Sequence, residues 1–481
     1  MARQPTTRLQ VSGHRFLLRR IECALLGRDI RAVDEAIRAP MQSLLAGSLL
    51  ATMVLAGSAA LAVVRPQPAS TDAPIVMGKQ SGALYVRIGE ILHPVLNLAS
   101  ARLIMKTNAD PLPIPESQLS RSRRGPMLGI PGAPQYLGTP LADDELQWAV
   151  CDSSRDGPPG TTVVVGRSEG PLSHRLASGQ SVLVTPASGG STYLLYDGHR
   201  AVVNLTESAA VRALGLDGRI PLVVSSVLLN AVPEAPPITA PRIRHAGSRG
   251  PLPGFPVGSV LRMARADGDE YYVVLSDGVQ RVSRVAADLV RFNDSHGTRT
   301  AISVAPDLIR VTPTVTELPV STFPDRVPVS VDASDTTVCV SWTHRTSAGR
   351  DFPEISFLTG GLPIPTGQQP VTLSQADGKG PAIDGVYLPP GRSAYVRATG
   401  LSADNARAGT RYLVSDTGVR FAIHDDDAAR DLGLPNTLIP APWQVLANLP
   451  AGLELSRANA SVAHDALVGA TSAVRSTSRS P

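Results

Sequence analysis

Residues 41–64, MQSLLAGSLLATMVLAGSAALAVV, run for 24 positions without a charge. As a helix rising about 1.5 Å per residue the stretch is roughly 36 Å long, enough to cross a ~30 Å hydrocarbon core with some tilt. The apolar core of a cleaved leader is shorter, at roughly 7–15 residues. The stretch therefore reads as a permanent anchor. The alternative is a cleaved secreted protein, because Ala60 and Ala62 stand near a plausible cut. The anchor divides the chain into a head of 40 residues and a C-terminal part of 417.

Charge sets the orientation. The head carries eight arginines against four acids, whereas 37 basic and 37 acidic residues follow Val64. Arginines beside a span stay cytoplasmic, which puts the N-terminus inside and the large part outside. The same split disposes of nucleic acid as a partner. The pI near 9.1 comes from the head, and the large part has no basic surplus for phosphates.

Three cysteines agree with this sidedness. Cys23 lies in the head, where thiols stay reduced. Cys151 and Cys339 lie outside, where disulfides persist. Each sits in an apolar string with a tryptophan, LQWAVCD and TTVCVSWT. The pair is expected to form a disulfide; two buried thiols or a metal site are the alternatives. Neither cysteine has a CxxC or His partner at ligand spacing.

Within the head, residues 14–27 put Phe16, Leu17, Arg20, Ile21, Ala24 and Leu25 at helical spacing, with Gly27 as a stop. A second short helix, Asp29–Arg38, follows. A basic amphipathic helix beside a membrane lies on anionic lipid or docks a cytoplasmic partner through Phe16, Leu17, Arg19, Arg20 and Ile21; periodicity does not choose between them.

Beyond the anchor the chain is rich in Gly and Pro and its elements are short, a β-rich pattern. Its strongest internal signal is a repeat. TYLLYDGHRAVVN (192–204), YYVVLSDGVQRVSR (271–284) and RYLVSDTGVRFAI (411–423) each read as an aromatic-started strand, a turn and a second strand with a basic residue near its start. Asp-Gly between alternating apolar runs is a strong hairpin signal, because Gly accepts the positive φ of a tight turn. The turn residues are Asp197 and Gly198, Asp277 and Gly278, and Asp416 and Gly418. A diverged fourth copy, ALYVRIGEILHPVLN (83–97), stands just past the anchor. After two of the hairpins come matching helices, TESAAVRALGLDG (206–218) and HDDDAARDLGLPN (424–436), capped by an acid or Thr and left through Gly-Leu.

Tyr85, Tyr193, Tyr272 and Tyr412 are spaced by 108, 79 and 140 residues. The two long gaps hold Cys151 and Cys339. They are expected to come together as one central β core. The predicted fold is β-rich α+β: one N-terminal transmembrane helix, then an elongated body with a disulfide-linked core and four hairpin-plus-short-helix repeats in pseudo two-fold arrangement. The boundaries are 1–40 head, 41–64 anchor, 65–74 Pro-rich stalk, 75–126 first repeat and 127–177 first part of the core. Then come 178–238 second repeat, 239–296 third repeat, 297–390 second part of the core, 391–455 fourth repeat and 456–481 tail.

A search for chemistry finds little. There is no GxxxxGK[ST], GxSxG or HExxH, and Asp377-Gly378-Lys379-Gly380 lacks phosphate-loop spacing. His424 with Asp425, Asp426 and Asp427 reads as a helix start more simply than as a metal site. Arg121, Arg123 and Arg124 read as a solvated loop, with an anion or acidic partner as the sharper alternative. Asp143, Asp144 and Glu145 read as the acidic first turn of a short helix. No catalytic, metal or cofactor residues are assigned.

The head string QVSGHRFLLRRIECALLGRD (Gln10–Asp29), one anchor, an Arg65-Pro66 exit, four hairpin repeats and a distant cysteine pair together resemble EccB, the single-pass membrane component of mycobacterial type VII (ESX) secretion systems. The resemblance covers nearly the whole chain. It implies a place in an inner membrane core complex with EccC, EccD and EccE, self-association and contact with the MycP protease. The family's repeats are similar to those of a phage-lysin wall-binding subunit, which implies peptidoglycan contact. The family is also labelled an ATPase; ATP as a ligand and hydrolysis as an activity follow only from that label. The expected function is a scaffold on the periplasmic side of the secretion machine, with an ATPase and a peptidoglycan-binding module as alternatives.

Overall fold

The computed structural model describes residues 8–27, 43–58, 73–153, 160–167, 170–266, 268–294, 300–331, 337–347, 350–378, 380–401 and 409–465. Two units separate, Met1–Asp72 and Ala73–Pro481.

In the first unit one helix spans Arg8–Leu25, starting six residues before the periodicity predicts. It stops where Gly27 turns to φ 63°. The expected helix Asp29–Arg38 lies outside the described residues. Residues 43–58 are helical and exposed along their length. Their hydroxyls bond back to the helix: Thr52 Oγ1 donates to the Ser48 carbonyl at 2.7 Å and Ser58 Oγ to that of Leu55 at 2.9 Å. Such back-bonding leaves no side-chain donor demanding water. Residues 41, 42 and 59–64 of the expected anchor lie outside the described residues, and among the described residues no helix is long and apolar enough to cross a membrane.

Among its described residues the second unit contains four sheets of like strand order around a fifth. The sheet around the Asp197–Gly198 turn shows the pattern. Gln180–Pro186 pairs antiparallel with Thr192–Tyr196, which pairs with His199–Val203. The helix Ser208–Leu214 follows and ends at Gly215 in the left-handed region. Leu222–Val224 then returns parallel to Gln180–Pro186, a pairing that requires such a crossover. After the helix Ser226–Asn230, Glu234–Ala235 runs parallel to the hairpin's far strand.

The other sheets follow suit. Val260–Met263, Glu270–Leu275 and Gly278–Val282 are joined by Ile302–Ser303, parallel to the first. Arg392–Thr399, Arg411–Ser415 and Arg420–Ile423 are joined by Ile439–Pro442 in the same way. Ile75–Gly78, Leu84–Ile88 and Ile91–Val95 are joined by Leu112–Ile114. The first crossover helices are rich in small residues, and alanines form their contacts. Ala210 and Ala213 share one buried cluster with Ala286 and Ala287; Ala99 shares another with Ala428 and Ala429.

The fifth sheet runs Ser173–Arg175, Arg350–Gly360, Thr337–Ser347, Gln147–Ser153, Gly160–Val165, Gly385–Tyr387, Val371–Thr372. Its two middle strands are far apart in sequence and antiparallel, with Cys151 opposite Cys339 and Trp148 opposite Trp342. One face packs on apolar residues of the second and fourth small sheets and their second helices. The second sheet is buried in turn against the third, and the fourth against the first.

Several elements depart from the sequence reading. Ile302–Ser303 belongs to the third small sheet, past the boundary at 296, because its partner strand completes that sheet's parallel return. Met127–Leu128 joins the first small sheet and Thr139–Pro140 the fourth, so the strands of the central sheet begin at Gln147 and not at 127. Asp143, Asp144 and Glu145 form a single turn, not a helix, because the strand starts directly after it. Arg123–Arg124 is a short strand beside Ile91 and Leu92. The third hairpin turn is Ser276–Asp277, and Gly278 opens the return strand opposite Leu275.

Candidate functional site

The joint at the centre of the large unit is built by alternation. In Gln147–Ser153, Trp148, Val150 and Asp152 point to one face and Ala149 and Cys151 to the other. The second face holds the disulfide Cys151–Cys339, with a Cα–Cα distance of 4.0 Å. Leu358 and Tyr387 bury it. Closing a loop across 188 residues restricts the unfolded chain by about 5 kcal/mol in the chain-entropy account.

The first face carries a carboxylate that the sequence reading missed. Asp152 is 2% exposed. Its Oδ2 accepts from the backbone N–H of Ser225 at 2.5 Å; its Oδ1 accepts from Ser225 Oγ at 3.0 Å and from Thr161 Oγ1 at 2.9 Å. Ser225 in turn caps the helix Ser226–Asn230, accepting from Leu228 N at 3.1 Å. Burial pushes the Asp152 carboxyl up to about 6, against the pull of these donors, and nearby Asp384 adds to the rise. Asp384 accepts from Thr161 N at 2.8 Å and from Gly378 N at 2.7 Å. One carboxylate thus holds the central sheet to the second small sheet, and another pins the loop beside it. The residue sits at an inward register position of an apolar string, a signal present in LQWAVCD.

The fourth small sheet joins the centre differently. Arg392 Nη2 donates to Glu145 Oε2 at 2.6 Å, which with the Ala142 N–H holds that carboxyl below its usual range. Arg420 stacks over both Tyr412 and Trp443, at 5.4 and 5.3 Å from the ring centroids. The same arrangement recurs as Arg200 over Tyr193 and Arg124 over Tyr85. In three of the four small sheets a basic residue thus covers the ring at the start of the aromatic strand; in the third, Arg281 pairs with Glu270 instead.

The turn residues hold their strands in different ways. Asp197 and Gly198 both have positive φ, 40° and 75°. Gly418 has φ 82° after Asp416, whose Oδ2 accepts from Gly391 N at 2.9 Å. Gly278 is needed for another reason: a Cβ there would stand 2.2 Å from the Pro313 carbonyl oxygen. Asp277 lies in the turn before it. In the head, Phe16, Leu17, Arg19, Arg20 and Ile21 are all exposed on one helix.

Among the described residues no nucleophile, base and acid come together at this joint. Among the described residues no group of three or more His, Cys, Asp or Glu is placed to hold a metal ion. An open groove of about 1130 Å³ runs along the third small sheet, lined by Glu270, Arg281, Arg284, Glu317 and Arg326 among others. Glu270 already pairs with Arg265 and Arg281, and Glu317 with Arg244. The arrangement can hold elements together.

A family model described as "Type VII secretion system ESX-1, transport TM domain B" matches residues 3–469. The chain is 38% identical to "ESX-3 secretion system ATPase EccB3" of Mycolicibacterium smegmatis, covering 96% of this chain and 91% of that one. The chain belongs to the EccB family. A further member, "ESX-5 secretion system ATPase EccB5" of Mycobacterium tuberculosis, is 33% identical over 96% of this chain and 94% of its own. EccB structures are similar throughout. A chain of "Structure of an intact ESX-5 inner membrane complex" superposes with a TM-score of 0.72 at 30% identity, covering 98% of both chains. "Structure of EccB3 dimer from the ESX-3 core complex" gives 0.71 at 35% identity, covering 81% of this chain and all of that one.

Proposed function

We propose that this chain is a membrane-anchored structural subunit of an ESX secretion machine, scaffolding its core complex from the periplasmic side. The observation that carries the reading is the match over 98% of both chains to a component of an intact inner membrane complex. The stapled joint supports it, because it is built for holding. The word ATPase stands in the relatives' names, but the chain carries no GxxxxGK[ST] stretch.

The uncharged stretch 41–64 is the single anchor in this proposal, with the arginine-rich head cytoplasmic. The large unit is a pseudo two-fold body of four repeats around the core. Two pairings support the two-fold reading. Thr139–Pro140 joins the leading strand of the fourth repeat at Arg392 and Ser393, and Val329–Ser330 joins that of the second at Gln180 and Ser181. In each case six residues separate it from a central strand, Gln147–Ser153 or Thr337–Ser347. Self-association is part of the proposal, by analogy with the EccB3 dimer to which this chain is similar. So are contacts with EccC, EccD, EccE and MycP.

Affinity purification of the tagged chain from its own cells in mild detergent tests the reading. A stable, stoichiometric membrane assembly is expected. Recovery of the chain alone, or protease shaving of intact spheroplasts that spares everything beyond Pro66, overturns it.

A further inference from the structure

The four hairpin turns of the large unit do not meet the same surroundings. A Cβ on Gly198 would strike the Ile355 backbone, one on Gly278 the Pro313 backbone and one on Gly418 the Val386 side chain. At Gly89, in the turn of the first repeat, nothing stands within 4 Å. Three tips are seated and one is open.

The open tip is apolar where a soluble turn is polar. Ile88 and Ile91 close the hairpin opposite each other. They are 46% and 39% exposed. Arg123 lies next to Ile91 in register, and Arg124 next to Leu92, which faces Arg87 on its other side. Arg121 stands two residues before Arg123, exposed like Arg123 and Arg124. Glu90, in the turn itself, is the one acid in this group. Two exposed isoleucines, with Arg123 beside them in register on one face and Arg87 and Arg124 flanking Leu92 on the other, make a hairpin end with an apolar point and basic flanks.

Charge along the chain picks out this repeat. Residues 75–128 hold seven Lys and Arg against three Asp and Glu, while residues 129–481 hold 29 against 33. The basic excess of the large unit is thus confined to its first repeat. That repeat begins at Ile75, with ten residues between it and the last residue of the uncharged stretch. Ten extended residues reach at most about 35 Å.

We propose that the hairpin tip of the first repeat is a docking surface for the anionic lipid headgroups of the membrane that the 41–64 stretch enters. This rests on the anchor reading above. Isoleucines at a tip enter the interfacial region, and arginines beside them pair with lipid phosphates while their stems stay in apolar surroundings. Each arginine near an anionic surface contributes about a five-fold gain in association, and salt screens it. The contact orients the body on the bilayer.

The test uses the full chain in nanodiscs of phosphatidylcholine alone or with 30% phosphatidylglycerol, read by hydrogen exchange. Residues 84–95 and 121–125 are expected to gain protection only in the anionic discs and to lose it in 0.5 M salt. Arg123→Gln with Arg124→Gln lowers the docked-to-free ratio about 25-fold, at about five-fold per arginine. Unchanged exchange of the helix Leu98–Met105 shows that the variant is folded, and the salt arm tests the surface with no variant at all. Equal exchange in both lipids, or protection indifferent to salt, overturns the proposal while the chain remains in the discs. Loss of the chain from the discs on washing with carbonate instead overturns the anchor.

Discussion

Asp152 accepts the backbone N–H of Ser225 at 2.5 Å, across an interval of 73 residues. The contact fastens the end of a central strand to the first residue of a helix cap in the second small sheet. It is made by a group whose burial raises its carboxyl from 3.8 to about 6. The folded state therefore binds a proton more tightly than the unfolded chain. Stability from neutral Asp152 is fully present below pH 3.8 and is lost as pH rises through about 6. A shift of roughly two units corresponds to about 3 kcal/mol. Asp152→Asn keeps the shape and the hydroxyl partners. It is expected to melt above the wild type at pH 7.5, with the gap closing near pH 4. Parallel melting curves across this range would refute the assignment.

Gly278 holds a strand against a loop, which is a different duty from that of Gly198. With glycine there, Val279 N donates to the Pro313 carbonyl at 2.8 Å and Val315 N to the Val279 carbonyl at 2.9 Å. Gly278→Ala places a methyl at 2.2 Å from that carbonyl oxygen. The loop must withdraw, at a cost of about 1–3 kcal/mol. Denaturant melts should show the loss, and hydrogen exchange at Val279 and Val315 should accelerate first. Unchanged exchange there would mean that the loop yields freely.

Much of this was legible because hairpins are local. Asp-Gly at two sites and Asp-Thr-Gly at a third, between alternating runs, declared three of the hairpins, and matching strings after two of them declared the crossover helices. Long-range pairing hid the rest. Leu222–Val224 and Ile302–Ser303 are strands only because a distant strand lies alongside them, and three residues carry no periodicity of their own. The same reason misplaced the boundary at 296. Gly278 looked like a turn glycine since its neighbours match those of Gly198, but the hairpin register differs by one residue. At the joint, the cysteine pair was readable from two tryptophan-bearing strings. Asp152 was not, because an acid at the end of an apolar string looks like a strand leaving the core, and only Ser225 makes it otherwise.

Arg420 lies over two rings, Tyr412 and Trp443, whose centroids are 5.9 Å apart. Its Nε also donates to the Leu449 carbonyl at 3.2 Å. The planar guanidinium stacks and donates at once, which an ammonium cannot do. Arg420→Ala is expected to cost about 1–2 kcal/mol in a denaturant melt, and Arg420→Lys to recover only part of it. Full recovery by lysine would reduce the role of Arg420 to that of a charge.

Cys151 and Cys339 lie opposite each other on the two strands that bring the halves of the large unit together. Every other contact between those strands is a hydrogen bond or an apolar contact that breaks with the fold. The disulfide persists in the unfolded chain and shortens a loop of 188 residues. Its removal is expected to cost about 2–5 kcal/mol. Cys339→Ala alone leaves the Cys151 thiol against Leu358 and Tyr387, an apolar site that a thiol tolerates. The single variant and the Cys151→Ala/Cys339→Ala double variant should therefore melt together, both below the oxidised wild type and level with the reduced one. A reduced wild type that melts with the oxidised form would show that the sheet register holds the halves without the bond. A single variant well below the double would locate the damage in the stranded thiol instead.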